Sequence, residues 1–151
     1  MDSMEPVTFT SNYALDAVLC HYVSAAMRDN IETDIRVMVP GKTVLPDDEL
    51  CVVIGNLMEN AVEACKRQEG GKKFIFLRCI QDEGRLSIVL DNSYSGEVKY
   101  EKGYFRSSKR SGIGIGVESV KSIVKKNGGI ASFAAEEKLF KTSVIFPVKK
   151  K

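Results

Sequence analysis

Two asparagines one helical turn apart, Asn56 and Asn60, form the first candidate chemical site of the sequence. Together with Glu63 they fall on one face of a predicted helix, because residues three and four apart lie above each other. Asparagine is a poor interior helix residue, since its side chain competes for backbone hydrogen bonds. An amide oxygen also suits Mg²⁺, which takes waters and phosphate oxygens as its other ligands. The segment indicates either a magnesium–phosphate site or a solvated helix face, and alone it favours neither.

A second candidate is the run Gly112-Ile113-Gly114-Ile115-Gly116, which opens a later helix. Glycines let backbone N–H groups approach an anion, and a helix N-terminus adds partial positive charge. Taken alone, the three glycines are equally typical of a flexible hinge. A Rossmann fingerprint is excluded because the third glycine comes one place early and no parallel strand precedes it. A Walker A loop is excluded because no Gly-Lys-Ser/Thr ends the run.

The third candidate is the end of a predicted strand at Asp91-Asn92. If Leu86, Ile88 and Leu90 face the core, Asn92 is the next side chain in that direction, and Asp91 points the other way. A polar side chain in such a place needs a partner. An ordinary Asn-Ser turn is the simpler interpretation of this segment by itself.

Composition narrows the classes of protein to which the chain can belong. Of 151 residues, 44% are hydrophobic, and 22 Lys plus Arg oppose 20 Asp plus Glu, so the net charge of +2 argues against a nucleic-acid partner. No apolar run approaches the roughly 20 residues of a bilayer span, and no signal pattern opens the chain. With one histidine and cysteines at least 14 residues apart, a zinc site is not expected. The sequence predicts one cytoplasmic domain with buried, reduced cysteines.

Hydrophobic periodicity predicts the order α β α β β α β β. The expected helices cover 11–29, a segment from 46–48 to the Gly70-Gly71 stop, and 113–126, and the expected strands cover 31–39, 73–81, 85–92, 130–135 and 140–148. The simplest packing is an α+β two-layer sandwich, with a mixed five-stranded sheet carrying three helices on one face. Residues 1–10 are expected to be a linker or cloning remnant, and residues 11–151 the domain. The aperiodic stretch 93–111 is predicted to be a lid or binding loop.

Taken in order, these segments resemble the GHKL, or Bergerat-fold, ATPases, and within them the ATP-binding catalytic domain of sensor histidine kinases. Residues 55–64 match the N box, 92–96 take the place of the G1 box, and 108–109 with 112–117 match the G2 box; Phe105 falls where an F box would. The subgroup resembled is that of kinases that sense peptide pheromones and pair with LytTR-type regulators, whose linker is similar to Ser11-Asn12 with Leu15-Asp16. The resemblance covers nearly all of the chain from residue 11.

The resemblance implies roles for the three asparagines. Asn60 would coordinate Mg²⁺ and bridge to the ATP phosphates. Asn56 sits where gyrase-like relatives carry a glutamate base and where histidine kinases carry asparagine, which makes it a catalytic and nucleotide-contacting candidate. Asn92 replaces the aspartate that accepts a hydrogen bond from the adenine amino group, so neighbouring Asp91 is a rival for that role.

It also implies roles for the residues between and within the glycine-rich boxes. Gly96 would allow backbone to approach the nucleotide closely, and Gly112, Gly114 and Gly116 would present N–H groups to phosphate. Lys109 is a catalytic and nucleotide-binding candidate. The remaining lid residues expected to contact nucleotide or flank it are Arg106, Ser107 and Ser108.

The function implied is transfer of the γ-phosphoryl group of Mg-ATP to a histidine on a separate dimerisation domain. The implied partners are ATP, that phosphoacceptor domain and a response regulator, with no nucleic acid and no membrane contact by this cytoplasmic part of a membrane-anchored receptor. His21 has no adjacent acid and is expected to be structural, so the fragment alone should not autophosphorylate. The alternatives are an anti-sigma factor type serine kinase, which would carry glutamate in place of Asn56, and a non-catalytic nucleotide- or protein-binding module, which Asn92 and Tyr94 leave open.

Overall fold

The computed structural model describes the backbone of residues 8–95, 99–101, 104–106 and 113–148, and the side chains of 8–95 and 117–148. Three helices and seven strands follow one another along it. In chain order they are α1 (Tyr13–Arg28), β1 (Glu32–Met38), α2 (Asp47–Arg67), β2 (Phe74–Gln81), β3 (Arg85–Ser93), β4 (Lys99–Glu101), β5 (Tyr104–Arg106), α3 (Ile113–Lys126), β6 (Ile130–Glu136) and β7 (Leu139–Pro147).

Five strands form one mixed sheet in the order β1-β2-β3-β7-β6. Strand β1 runs parallel to β2, and the other neighbouring pairs are antiparallel. Along β3, Leu86, Ile88 and Leu90 are buried beneath the helices, and the buried face of α2 packs on the same layer. The predicted α+β sandwich of a mixed sheet and three helices is therefore confirmed.

The stretch 93–111 differs from the prediction of an aperiodic loop. Ser93 is the last residue of β3, and β4 and β5 pair with each other as a small antiparallel hairpin. Three-residue strands are too short to show a period of two, so sequence patterning misses them. The other predicted boundaries shift by one or two residues, as helix and strand ends commonly do.

The starts of α1 and α2 are joined by Asn12. Its Oδ1 accepts a hydrogen bond from the Leu15 N–H at 3.1 Å and caps α1, while its Nδ2 donates to Asp47 Oδ1 at 3.0 Å. Further along, the Tyr22 hydroxyl donates to Glu59 at 3.1 Å, so the two helices run in the same direction. Phe9 packs against the core and its N–H donates to Asp16 at 2.7 Å.

The four cysteines are free, and their burial differs. Cys65 and Cys79 are buried, as predicted, and burial raises the pKa of Cys79 to about 12. Cys20 and Cys51 are only half-buried, so the prediction of buried cysteines is wrong for these two. Among the helices in the described part of the chain, none combines the length and the apolar character needed to cross a bilayer.

The connection from α3 to β6 gives a matched test of close packing. A Cβ on Gly129 would lie 2.6 Å from the Ile145 carbonyl oxygen and 2.9 Å from the Phe146 ring, whereas Gly128 has open space but a φ of +69°. We expect Gly129→Ala to cost about 3 kcal/mol of unfolding free energy, because backbone must move. Gly128→Ala should cost about 1 kcal/mol, from its left-handed backbone alone. Urea unfolding measures both, and equal losses would contradict the packing described.

Candidate functional site

Helices α2 and α3 run in opposite directions and are joined where α2 begins and α3 ends. Glu49, in the first turn of α2, accepts hydrogen bonds from Lys126 Nζ and, at 3.0 Å, from Asn127 Nδ2. Because an α-helix rises about 1.5 Å per residue, the start of α3 lies roughly level with Asn60. The glycine-rich turn with Gly114 and Gly116 therefore comes to the same end of the helix layer as Asn60.

Asn56 and Asn60 are both half-buried on α2 and differ in their hydrogen bonds. Asn56 Nδ2 donates to the Val52 carbonyl one turn earlier, at 2.9 Å. Glu63, on the same face, forms an ion pair with Arg67 at 3.5 Å. The Asn60 amide has no hydrogen-bond partner within the ranges that the structure describes. Within the described ranges, its oxygen therefore accepts no hydrogen bond.

Asn92 lies where the alternation of β3 predicted, with its side chain toward the helices and only 3% exposed. Its Nδ2 donates to the Ser93 carbonyl oxygen at 2.9 Å. Its Oδ1 accepts no hydrogen bond from any residue described here. Asp91 is half-buried on the other face of the sheet, opposite Lys141 of β7. Asn92 and Asp91, the two candidates for accepting a hydrogen bond from adenine, therefore face opposite sides of the sheet.

A contact that no local sequence pattern indicates joins the end of β3 to α2. Cys65 Sγ lies 3.5 Å from Ser93 Oγ and 3.6 Å from the Ser93 carbonyl oxygen. The Ser93 hydroxyl also accepts a hydrogen bond from the Phe74 N–H at 3.0 Å. Burial raises the pKa of Cys65, so the thiol keeps its proton. Since Cys65 follows Asn60 on α2, this contact sets the position of Asn92 relative to Asn60.

Tyr94 anchors the chain as it leaves β3. Its hydroxyl donates to the Glu136 carbonyl oxygen at 2.9 Å, and its ring meets Phe140 edge to face at 6.1 Å. The side chain is buried. This residue, which the sequence suggested as a sign of a degenerate box, ties the strand end to the β6–β7 hairpin.

The first turn of α3 carries no acidic residue, whereas the first turns of α1 and α2 do. Acids in a first turn offset the partial positive charge of a helix N-terminus. Within its first turn, α3 leaves that charge without an acidic neighbour, and two lysines occupy its last turn. This charge distribution favours an anion at the glycine-rich end.

Several predicted site residues lie outside the described part of the chain. For Arg106 and Phe105 only the backbone is described, in β5. The predicted residues whose placement lies outside the described ranges altogether are Gly96, Ser107, Ser108, Lys109 and Gly112. Their roles, and that of the lid, stay predictions.

The family model for a GHKL domain matches residues 47–147 of the chain. The matched segment contains α2, the end of β3 and α3, the three elements that carry the candidate residues. The chain belongs to the GHKL family. This agrees with the resemblance carried by the ordered boxes.

Solved structures show that this GHKL domain has the fold of histidine kinase catalytic domains. The nucleotide-free catalytic domain of histidine kinase ThkA is 19% identical, with a TM-score of 0.69 over 96% of this chain and 97% of that one. The mycobacterial sensor histidine kinase MprB is 21% identical, with a TM-score of 0.62 over 92% and 96% of the two chains.

A relative in Bacillus subtilis (strain 168), the probable C4-dicarboxylate sensor kinase, is 30% identical over 110 residues. That alignment covers 67% of this chain and 20% of the kinase. The GHKL domain thus spans about a fifth of the length of this relative.

His21 of the GHKL domain is exposed on α1, with its ring edge-on to Tyr22 at a centroid distance of 4.8 Å. The neighbouring turns of α1 are held down by Leu15 and Leu19, which are buried in the core. Moving His21 far from this position would require α1 to leave that core.

The junction of Glu49 with Lys126 and Asn127 predicts a pH effect. Hydrogen bonds from Lys126 and then Asn127 hold the pKa of Glu49 below its ordinary value of 4.5. A depressed pKa stabilises the fold above the unfolded value and loses that effect as pH falls through the folded one. We expect Glu49→Gln to destabilise at pH 7, and the difference from wild type to shrink below about pH 4.5.

Urea unfolding from pH 7 to pH 3 measures this difference, with Glu118→Gln as the control, an exposed carboxylate on α3. Glu118→Gln should change the free energy of unfolding little compared with Glu49→Gln. A Glu49→Gln deficit that stays constant down to pH 3 would show that the carboxylate does not join the two helices.

Proposed function

We propose that this GHKL domain binds Mg-ATP and is the catalytic domain of a sensor histidine kinase, donating the γ-phosphoryl group to a histidine of a separate dimerisation domain. The observation that carries the proposal is the convergence of three features at one end of the helix layer. They are the Asn60 amide, which has no hydrogen-bond partner among the described residues, the buried amide of Asn92 and the N-terminus of α3.

The base is proposed to bind at Asn92. The Asn92 side chain lies on the helix side of β3, and its amide oxygen accepts no hydrogen bond from the described residues, so a ligand can supply the donor. The adenine amino group is such a donor. Asp91 lies on the opposite face, which supports Asn92 rather than Asp91 in this role.

The phosphates are proposed to bind at the start of α3, with Gly112, Gly114 and Gly116 presenting N–H groups to them. The lack of an acid in that first turn supports the assignment. From the lid, Arg106, Ser108 and Lys109 are proposed to contact the nucleotide, and Gly96 to lie against it.

A magnesium ion fits the donor set at Asn60. The amide oxygen would be its protein ligand, and phosphates and waters would supply the others, as is usual for Mg²⁺ in nucleotide sites. A metal held by Asn60 would supply positive charge that offsets the charge of the phosphates. No group of three or more His, Cys, Asp or Glu able to hold a metal occurs in the described ranges, so the proposed site relies on nucleotide oxygens.

Asn56 favours phosphotransfer to a protein nucleophile over hydrolysis. Its Nδ2 is held by the Val52 carbonyl, and a neutral amide cannot take a proton from water as a carboxylate base would. An anti-sigma factor type kinase would be expected to carry glutamate at this place. The chain's own contribution is then to position the nucleotide and stabilise its charge, while an imidazole from another domain attacks.

The wider setting of the domain is part of the same proposal. We place it on the cytoplasmic side of a membrane-anchored receptor of the peptide-pheromone-sensing, LytTR-paired subgroup, with a response regulator downstream. The similarity of Ser11-Asn12 and Leu15-Asp16 to the linker of that subgroup supports it, and Asn12 lies at the junction of α1 and α2.

Replacing Asn60 tests the metal assignment. We expect Asn60→Ala to weaken Mg-ATP binding by about tenfold or more, the loss of about 1.4 kcal/mol of metal-dependent binding. Binding without Mg²⁺ should change little, since the side chain makes no hydrogen bond within the described ranges. Calorimetry with and without Mg²⁺ measures this, and Asn60→Asp, which keeps an oxygen ligand, is the matched control. Unchanged Mg-ATP affinity in Asn60→Ala would rule out the assignment.

We expect that the domain alone does not phosphorylate its own histidine. Presenting His21 to a γ-phosphate in the same chain would pull Leu15 and Leu19 out of the core, at about 1.5–3 kcal/mol for each side chain. Incubation with radiolabelled ATP should leave the protein unlabelled, and adding the parent kinase's dimerisation domain should label that partner. Acid-labile label that disappears in His21→Gln would identify His21 as the acceptor instead.

A further inference from the structure

We propose that Ser93 and Cys65 are positioning residues that hold the Asn92 amide in one orientation, and that this orientation makes the site prefer adenine to guanine. The inference rests on the proposed function, because it takes a purine base as the ligand next to Asn92. It concerns Ser93 of β3, which lies within the G1 segment but received no role there, and Cys65 of α2, which lies just outside the N box.

The orientation of Asn92 follows from its one hydrogen bond among the described residues. Nδ2 lies 2.9 Å from the Ser93 carbonyl oxygen, which can only accept. Rotating the amide by half a turn would bring Oδ1 against that oxygen, two acceptors in contact without a proton between them. The nitrogen is therefore held toward Ser93 and the oxygen away from it.

Ser93 is itself held on three sides. Its hydroxyl accepts from the Phe74 N–H at 3.0 Å and lies 3.5 Å from Cys65 Sγ, and its backbone pairs with Leu139 of β7. The single Cys65 thiol proton has three acceptors within reach: the Ser93 carbonyl oxygen at 3.6 Å, the Ser93 hydroxyl at 3.5 Å and the Phe74 carbonyl oxygen at 3.5 Å. Both residues are buried, so water does not compete with these contacts. The carbonyl that orients Asn92 thus has little freedom to turn.

A fixed amide discriminates between purines, whereas a freely rotating one does not. Held by Ser93, Asn92 has Oδ1 as an acceptor and the second Nδ2 proton as a donor. Adenine offers an amino donor beside the N1 acceptor, which matches this pair. Guanine offers the O6 acceptor beside an N1–H donor, which matches the rotated amide instead. Asparagine at this place therefore needs an orienting group.

An aspartate at position 92 would not need an orienting group. Both carboxylate oxygens accept hydrogen bonds, so rotating an aspartate changes nothing that the base can read. The dependence on Ser93 and Cys65 should consequently exist with Asn92 and vanish in Asn92→Asp. This difference separates an orienting role from a merely structural one.

The experiment measures the affinities of the 151-residue protein for Mg-ATP and Mg-GTP by calorimetry. Ser93→Ala, Cys65→Ala and the double variant are each made with Asn92 and with Asn92→Asp, and Cys65→Ser tests rescue by a shorter donor. With Asn92, we expect the preference for ATP over GTP to fall by about tenfold in the double variant, the size of one good hydrogen-bonded base contact. With Asn92→Asp, the preference should not change.

Each result decides the proposal. An equal fall in both backgrounds, or an unchanged preference with Asn92, would overturn it. A wild-type protein that binds neither nucleotide would overturn the proposed function and this inference with it, whereas ATP binding with unchanged selectivity would overturn the inference alone.

If the double variant does not fold, the wild type still supplies a test. Its Asn92 side-chain amide, assigned by loss of the signals in Asn92→Asp, should show one slowly exchanging, hydrogen-bonded proton by nuclear magnetic resonance. Two protons that both exchange rapidly with water would contradict a held orientation.

Discussion

Helix α2 is the element on which the rest of the helix layer depends. It buries one apolar side against the sheet, and its first turn is joined to α1 through Asp47 and to α3 through Glu49. These junctions fix the direction of both neighbours, parallel for α1 and antiparallel for α3. The antiparallel arrangement brings the glycine-rich start of α3 to the part of α2 that carries Asn60. Helix α2 thus determines that the start of α3 lies near Asn60.

The same helix connects the stability of the domain to its candidate chemistry. Cys65 belongs to the buried side of α2 and also touches Ser93 at the end of β3, so the packing of the core sets where Asn92 lies. The Ser93 carbonyl oxygen accepts a hydrogen bond from Asn92 Nδ2, which offsets the cost of burying that nitrogen. Asn92 Oδ1 accepts no hydrogen bond from the described residues. The contacts of Ser93 thus position the nitrogen end of the Asn92 amide.

Local patterns predicted the three helices and the five strands of the main sheet, because the periods of helices and strands depend on neighbouring residues only, but they missed the short β4 and β5. The direction of Asn92 followed in this way from Leu86, Ile88 and Leu90. The contacts that assemble the site join residues far apart in the chain: Cys65 and Ser93 are 28 positions apart, Tyr94 and Glu136 42, and Glu49 and Lys126 77. No local pattern encodes such pairs. The position of β7 between β3 and β6 likewise depends on pairing across the whole chain.

The register of β3 explains why Asn92, rather than the adjacent Asp91, faces the helices. A slip of one residue would bring Asp91 to the helix side, but it would also turn Leu86, Ile88 and Leu90 away from the core. Each of these side chains is worth about 1.5–3 kcal/mol when fully buried, so the slip would cost several kcal/mol. Lys141 lies opposite Asp91 on β7, and its Nζ forms an ion pair with Glu136 at 3.8 Å. The hydrophobic alternation of β3, rather than any property of the site, therefore decides that the neutral Asn92 faces the helices. Because an amide has a donor at one end and an acceptor at the other, it can match a base only where neighbouring groups keep it in one orientation.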